Sequence, residues 1–307
     1  MSDQTPQEKK EKFTLAEIKH TDVQLLVTAI FKAIEHYKPA IRLGLSIVAV
    51  ISQELKDYAQ KFEPIILRLA SVDWKAAHKR LEDLPTKSKA AMELAASKGW
   101  FFGWDESLQT LMEMVDKLEV IDPSEIDQVM AQYYRRNLTF FRDRLLSRHP
   151  QRAPVIGAAI TAHLTDTMEG YFLSIPVFIA QADGLLTELT EVNSATMKVR
   201  GGKTNELQST VALRKRFAND QYSLDLIHPL LVLHELDIMK SSTARMESEK
   251  TSGEAFTALN RHQILHGESW DYGTELNSLK AISFLTFVGL HLPLVLERVQ
   301  EKTDVAE

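Results

Sequence analysis

Apolar residues recur three and four positions apart along nearly all of this 307-residue chain, and β-type alternation is scarce. Val23, Leu26, Val27, Ile30, Phe31 and Ile34 form one such stripe, the pattern of a helix that buries a single face. The periodicity predicts an all-α protein built as a helical bundle. With 44% hydrophobic residues and only 12 Gly and 10 Pro, the chain can bury a substantial core, as one large domain or two smaller ones. A formal net charge of −6 argues against a protein that coats nucleic acid, while leaving room for a local basic cleft. The absence of cysteine excludes disulfides, thiolate metal sites and a cysteine nucleophile, and fits a reducing cytosol.

Residues 1–12 are polar and charged, lack the apolar core of a signal peptide, and are expected to form a disordered tail. The most apolar run, Leu43 to Ile51, is far shorter than the roughly 20 residues a membrane span needs. A cytoplasmic protein without membrane contact is the simplest expectation. Pro39, Pro64 and Pro85 punctuate the N-terminal helical pattern. Helices are expected over Ser107 to Leu118 and from Asp122-Pro123-Ser124-Glu125, with Asp122 as the cap, to Arg148. The Pro-bracketed segment His149 to Pro154 is the candidate boundary, dividing a helical region, 13–150, from a second domain, 151–307. Beyond it the pattern predicts helices from Val155 to about Gly170, Ile175 to Val192, Ser223 to Ile238, Gly253 to Leu265 and Glu275 to Gln300. Arg200 to Asn205 is expected to be an exposed loop.

The chemistry-bearing stretch is Asn260-Arg261-His262-Gln263-Ile264-Leu265-His266-Gly267. Arginine supplies a permanent, forked positive charge suited to phosphate, and histidine exchanges a proton near neutral pH. Five residues of ideal helix turn through about 500°, leaving Arg261 and His266 roughly 140° apart. Gly267 suggests a helix end near Leu265 that lets His266 swing into a cleft. An Arg and a His at this spacing also occur by chance, as helix caps or surface ion pairs.

This stretch, together with Tyr272-Gly273-Thr274, Asn277 and the block Ile175 to Gly184, resembles the HEPN domains of bacterial RNA-cleaving toxins and phage-defence proteins. The resemblance is confined to the C-terminal half. It implies a HEPN-like bundle over 151–307, a homodimer whose cleft binds RNA, and metal-independent endoribonuclease activity without a cofactor. In that scheme Arg261 and His266 are the catalytic pair and Asn260 and His262 position them. A place in a toxin–antitoxin system or in phage defence, with an antitoxin or regulatory protein as partner, is also implied. The His262 in this chain follows the Arg where many active members carry Asn. A non-catalytic HEPN-like module that binds RNA or a protein is the first alternative, and an unrelated interaction protein the second.

Other features have two readings each. Asp183, in Gln181-Ala182-Asp183-Gly184, either orients His266 or marks a kink and caps a turn at Gly184. Glu169 and Tyr171 are candidate interior polar residues. His262 and His266 are four apart, a metal-pair spacing, but Gln263 stands where a zinc-protease signature needs Glu, and no metal is expected. Arg135, Arg136, Arg142, Arg144, Arg148 and Arg152 either track an RNA backbone or form a solvated face. Arg214-Lys215-Arg216-Phe217 carries the same ambiguity. Trp100, Phe101, Phe102 and Trp104 are either a base-stacking platform or packing anchors.

Overall fold

The elements of the computed structural model follow from local signals that stop and start helices within a continuously apolar sequence. It describes residues 74–104, 107–199 and 206–304. The N-terminal tail, the stripe at Val23 to Ile34, the run Leu43 to Ile51 and the loop Arg200 to Asn205 lie outside these. The chain divides into Met1–Leu84 and Pro85–Glu307; of the former, only the first turns of α1 (Trp74–Ser97) are described, and this helix continues through Pro85.

Within the second unit come α2 (Leu108–Val120), α3 (Ile126–Arg148), α4 (Ala153–His163), α5 (Met168–Thr190), α6 (Gln208–Arg216), α7 (Gln221–Leu226) and α8 (His228–Leu231). Two 3₁₀ turns, Leu233–Glu235 and Asp237–Met239, lead to α9 (Ser242–Ser252), α10 (Arg261–Leu265) and α11 (Glu275–Thr286). A π-helical turn, Phe287–His291, joins α11 to α12 (Leu292–Asp304). Among the described residues the only β pairing is an isolated bridge between Lys198 and Leu207. The protein is an all-α bundle.

Several helix boundaries differ from the sequence pattern. Asp122 closes a turn onto Ser124 (2.8 Å to its N–H) instead of capping α3, which starts at Ile126. The expected helix from Val155 to Gly170 ends at His163, because Thr167 caps a new helix by accepting from the Gly170 N–H. A Cβ on Gly170 would lie 2.2 Å from the Ala162 carbonyl oxygen, so the turn between α4 and α5 closes only around glycine. The single helix expected over Ser223 to Ile238 is four short pieces. Asp220 caps the first of them, and Pro229 withholds a backbone donor.

α5 and α11 pack along each other at the centre, with α4 and α3 flanking them. Ile175, Phe178, Ile179, Ala182 and Leu186 of α5 meet Leu279, Ile282 and Leu285 of α11, all buried. α3 presents Ile126, Met130, Tyr134, Leu138, Phe141 and Leu145, a strict helical stripe, to the same core. Burying each such large side chain contributes roughly 1.5–3 kcal/mol. Trp100, Phe101 and Phe102 are also buried there. Trp100 stacks on Tyr134 (5.8 Å between centroids) and donates to Asp127 (2.7 Å), while Phe101 lies against Phe284 (4.9 Å). These aromatics are packing anchors with no face left for a base. They also tie residues before 150 to α11, so the core runs across the Pro-bracketed segment at 149–154.

By length and composition, Met168–Thr190 and Glu275–Arg298 could each cross a membrane; 89% of the second stretch's apolar window is buried inside the protein. That burial is what a core helix requires.

Gly103 has no room for a side chain. A Cβ there would lie 2.3 Å from Cγ of His291, whose ring is fully buried and hydrogen-bonded on both nitrogens. Gly103→Ala is expected to cost about 1–3 kcal/mol through overpacking. Urea unfolding reads it directly, and a cost within error of zero would mean that the ring and Gly103 are not in contact.

Candidate functional site

Asn260 decides where the motif helix begins. Its backbone is extended (φ −134°, ψ 121°) and its side-chain oxygen accepts from the Gln263 N–H at 3.1 Å, the arrangement of an N-cap. The residues before it are not helical. Gly253, in the left-handed region at φ 73°, has already ended α9. The helix expected from Gly253 to Leu265 is therefore only α10, five residues long. It finishes at Leu265, and Gly267 turns the chain over at φ 73°.

Asn260 is itself buried, at 1% exposure. Its Nδ2 donates to the carbonyls of Asp237 (2.7 Å) and Lys240 (3.0 Å), and its Oδ1 also accepts from Arg245 Nη1 (3.1 Å). Arg245, equally buried, reaches Glu268 Oε2 at 2.6 Å. Asn260 thus positions the whole turn, through backbone and cap bonds and not by touching a reacting group.

Arg261 crosses to α5. Its Nη2 lies 2.6 Å from Asp183 Oδ2, and the other carboxylate oxygen accepts from Thr196 Oγ1 at 3.0 Å. The two charged side chains are 18% and 20% exposed. Nε of Arg261 is buried without a hydrogen-bond partner among the described residues. Asp183 therefore holds Arg261; it neither orients His266 nor caps a turn at Gly184.

His262 and His266 sit one turn apart with their rings parallel, 6.1 Å between centroids and 9° between planes. His266 is exposed and His262 half-buried. Burial first, then the nearby positive charges of Arg261, His266 and Arg245, push the His262 imidazole below its ordinary pKa. Its uncharged form is favoured at neutral pH. His262 therefore lies within electrostatic reach of Arg261, His266 and Arg245.

No family model, curated protein or solved structure matches the chain. The geometry stands alone.

Among the described residues no three His, Asp or Glu side chains converge as a metal site. The basic run on α3 is largely committed within the fold. Arg135 pairs with Glu275, Arg148 with Glu297, Arg142 with Asp143, and Arg152 with Gln181 and Glu188. Arg214 pairs with Glu206. Glu169 is exposed, whereas Tyr171 is buried and donates to Asp166.

Sequence reasoning missed Arg245, which together with Glu268 braces the turn from beneath. It also missed a cavity of about 200 Å³ bordered by Asn260, Gln263 and Ile264. Asp183 carried a usable signal: a carboxylate in an otherwise apolar helix needs a cation, and the motif arginine was available.

Proposed function

We propose that the chain is a metal-independent endoribonuclease of HEPN type, with Arg261 and His266 as its catalytic pair. The observation that carries this reading is the combination, across one five-residue helix and its C-terminal end, of a pinned guanidinium with an exposed histidine. Asp183 fixes Arg261 through Nη2 while leaving most of its donor fork uncommitted. A guanidinium held in advance needs little reorganisation to receive a phosphate and the charge that develops on it. His266, exposed beyond the helix end, exchanges a proton with the ribose 2′-hydroxyl or the leaving oxygen. His262, kept uncharged beside it, withholds a second full charge from the site.

A second copy of the chain completes the cleft, as the sequence resemblance implies. The same resemblance favours a role in toxin–antitoxin or phage-defence systems, where a protein partner restrains cleavage. The Arg261–Asp183 ion pair supports the alternative of a binding module, since it neutralises part of the charge that RNA would meet.

The test is cleavage of a mixed RNA pool in EDTA by the full chain and by folded Arg261→Ala and His266→Ala variants. Loss of His266 is expected to reduce the rate on the order of 10²–10⁴-fold, the usual worth of general acid–base catalysis. Equal rates in all three proteins would rule out this pair as the site.

A further inference from the structure

Arg261 and His262 lie on α10 with His266 just past its end, while Asn260, Gln263 and Ile264 form one wall of the neighbouring cavity. That cavity, about 200 Å³, is also bordered by Phe256, Glu268, Trp270, Asp271 and Asn277. It is smaller than the roughly 300–1,000 Å³ that encloses a whole drug-sized ligand. Its size suits one planar ring system, with the remainder of the ligand outside.

The lining says which ring. Trp270 is 84% exposed at the rim, an indole face held out to solvent with no hydrogen bond that would explain it. Among the described residues the Gln263 side-chain amide makes no hydrogen bond, and Asn277 commits only its Nδ2, to the Tyr272 carbonyl at 3.1 Å. Glu268 gives one oxygen to Arg245, and Asp271 gives one to Ser269 at 2.9 Å. Each carboxylate keeps the other oxygen. An aromatic platform beside carboxylate and amide acceptors recognises a base by its N–H donors. A phosphate would be repelled by the same carboxylates.

We propose that this cavity is a base-binding subsite for single-stranded RNA that prefers bases carrying an exocyclic amino group, with Trp270 as its stacking platform. The proposal rests on the reading of the chain as acting on RNA and names the substrate feature recognised beside the Arg261–His266 pair. The base enters the cavity while the backbone passes toward that pair. Uracil, whose ring offers a single N3–H donor and no exocyclic amino group, can satisfy fewer of these acceptors and is disfavoured.

The test measures anisotropy of end-labelled 2′-O-methyl hexanucleotides of A, C, G or U, which cannot be cleaved through the 2′-oxygen, added to the full chain. Tighter binding of the amino-bearing oligomers than of the uridine one is expected. Trp270→Ala should weaken that binding about tenfold or more, the scale of one lost stacking contact. Gln263→Ala should narrow the preference over uridine even if the tryptophan variant proves poorly folded. No binding by any oligomer, or equal binding of all four with no effect of either substitution, would overturn the subsite. Cleavage of the unblocked oligomers, run alongside, separates the two ideas. Cleavage indifferent to Trp270 removes the subsite and leaves the nuclease. Base-selective binding without cleavage does the reverse.

Discussion

Asn260→Ala is expected to destabilise the protein by about 2–3 kcal/mol, a sizeable share of the roughly 5–15 kcal/mol that separates folded from unfolded chains. The Asn260 side chain makes four hydrogen bonds, to the Gln263 N–H, Arg245 Nη1 and the carbonyls of Asp237 and Lys240. Removing an N-cap alone costs roughly 0.5–2 kcal/mol. The rest comes from groups left behind: a buried donor or acceptor stripped of its partner costs about 1–3 kcal/mol. Both carbonyls keep a second donor: Asp237 O accepts from the Lys240 N–H at 3.3 Å, and Lys240 O from Arg245 Nη1 at 3.3 Å, so the penalty falls mainly on the uncapped Gln263 N–H and on Arg245. The orientation of the amide is fixed, since Gln263 N–H can only donate and so must face Oδ1. Asn260→Asp consequently preserves the cap and the acceptor for Arg245 but points an oxygen at two carbonyls. It should restore only part of the loss. Urea midpoints for the two variants check this; a cost below about 1 kcal/mol for alanine would mean that Asn260 does not hold the turn. In a cleavage assay its effect should follow the unfolded fraction, unlike that of His266.

This residue shows where sequence reasoning succeeds and where it stops. Asn260 stands out in the sequence as part of the motif because it precedes Arg261, but the spacing predicts a helix running straight through it from Gly253. Residues 253–260 contain nothing as disruptive as proline. What breaks the helix is a capping amide whose partners, the 3₁₀ turn at Asp237–Met239 and Arg245, lie up to 23 positions earlier. Long-range partners of that kind leave no periodic trace. By contrast the end of α3 at Arg148 is legible from the Pro-bracketed segment that follows it, because that stop signal is local. Asp183 falls between the two cases. A charge in an apolar run is plain in the sequence, and so is a candidate partner within the motif. Only the fold brings α5 alongside α10, 78 positions away in sequence, and so shows that the partner is Arg261. The aromatic run at Trp100 to Phe102 carried no direction of its own, and the packing of α3 and α11 supplied it.

Acidification should destabilise the protein through His291, a residue that no motif singled out. Its imidazole closes the π-helical turn and is fully buried, with the Phe287 ring 4.7 Å away. Nδ1 accepts from the Trp104 N–H at 3.0 Å, which requires that nitrogen to be unprotonated. Nε2 therefore carries the hydrogen and donates to the Leu226 carbonyl at 2.9 Å. Burial lowers the pKa to about 4 from the ordinary 6.5; the bond to Leu226 opposes the shift without cancelling it. Above pH 6.5 the ring is neutral in both folded and unfolded chains and adds no pH dependence. Between 6.5 and about 4 the unfolded chain takes up a proton that the folded one refuses, so stability falls as pH falls. Below about 4 the loss levels off near 3 kcal/mol, on the scale of 1.36 kcal/mol per pKa unit. His149, His163, His228 and His262 are also held below their ordinary values by burial and add to the same slope. A difference measurement isolates His291. His291→Gln should be less stable than the parent at pH 7.5, and the gap should shrink by about 2 kcal/mol or more by pH 4.5. A gap that stays constant would place the acid sensitivity in the other histidines. The buried ring would then be exchanging its proton as freely as an exposed one, which the Trp104 N–H does not allow.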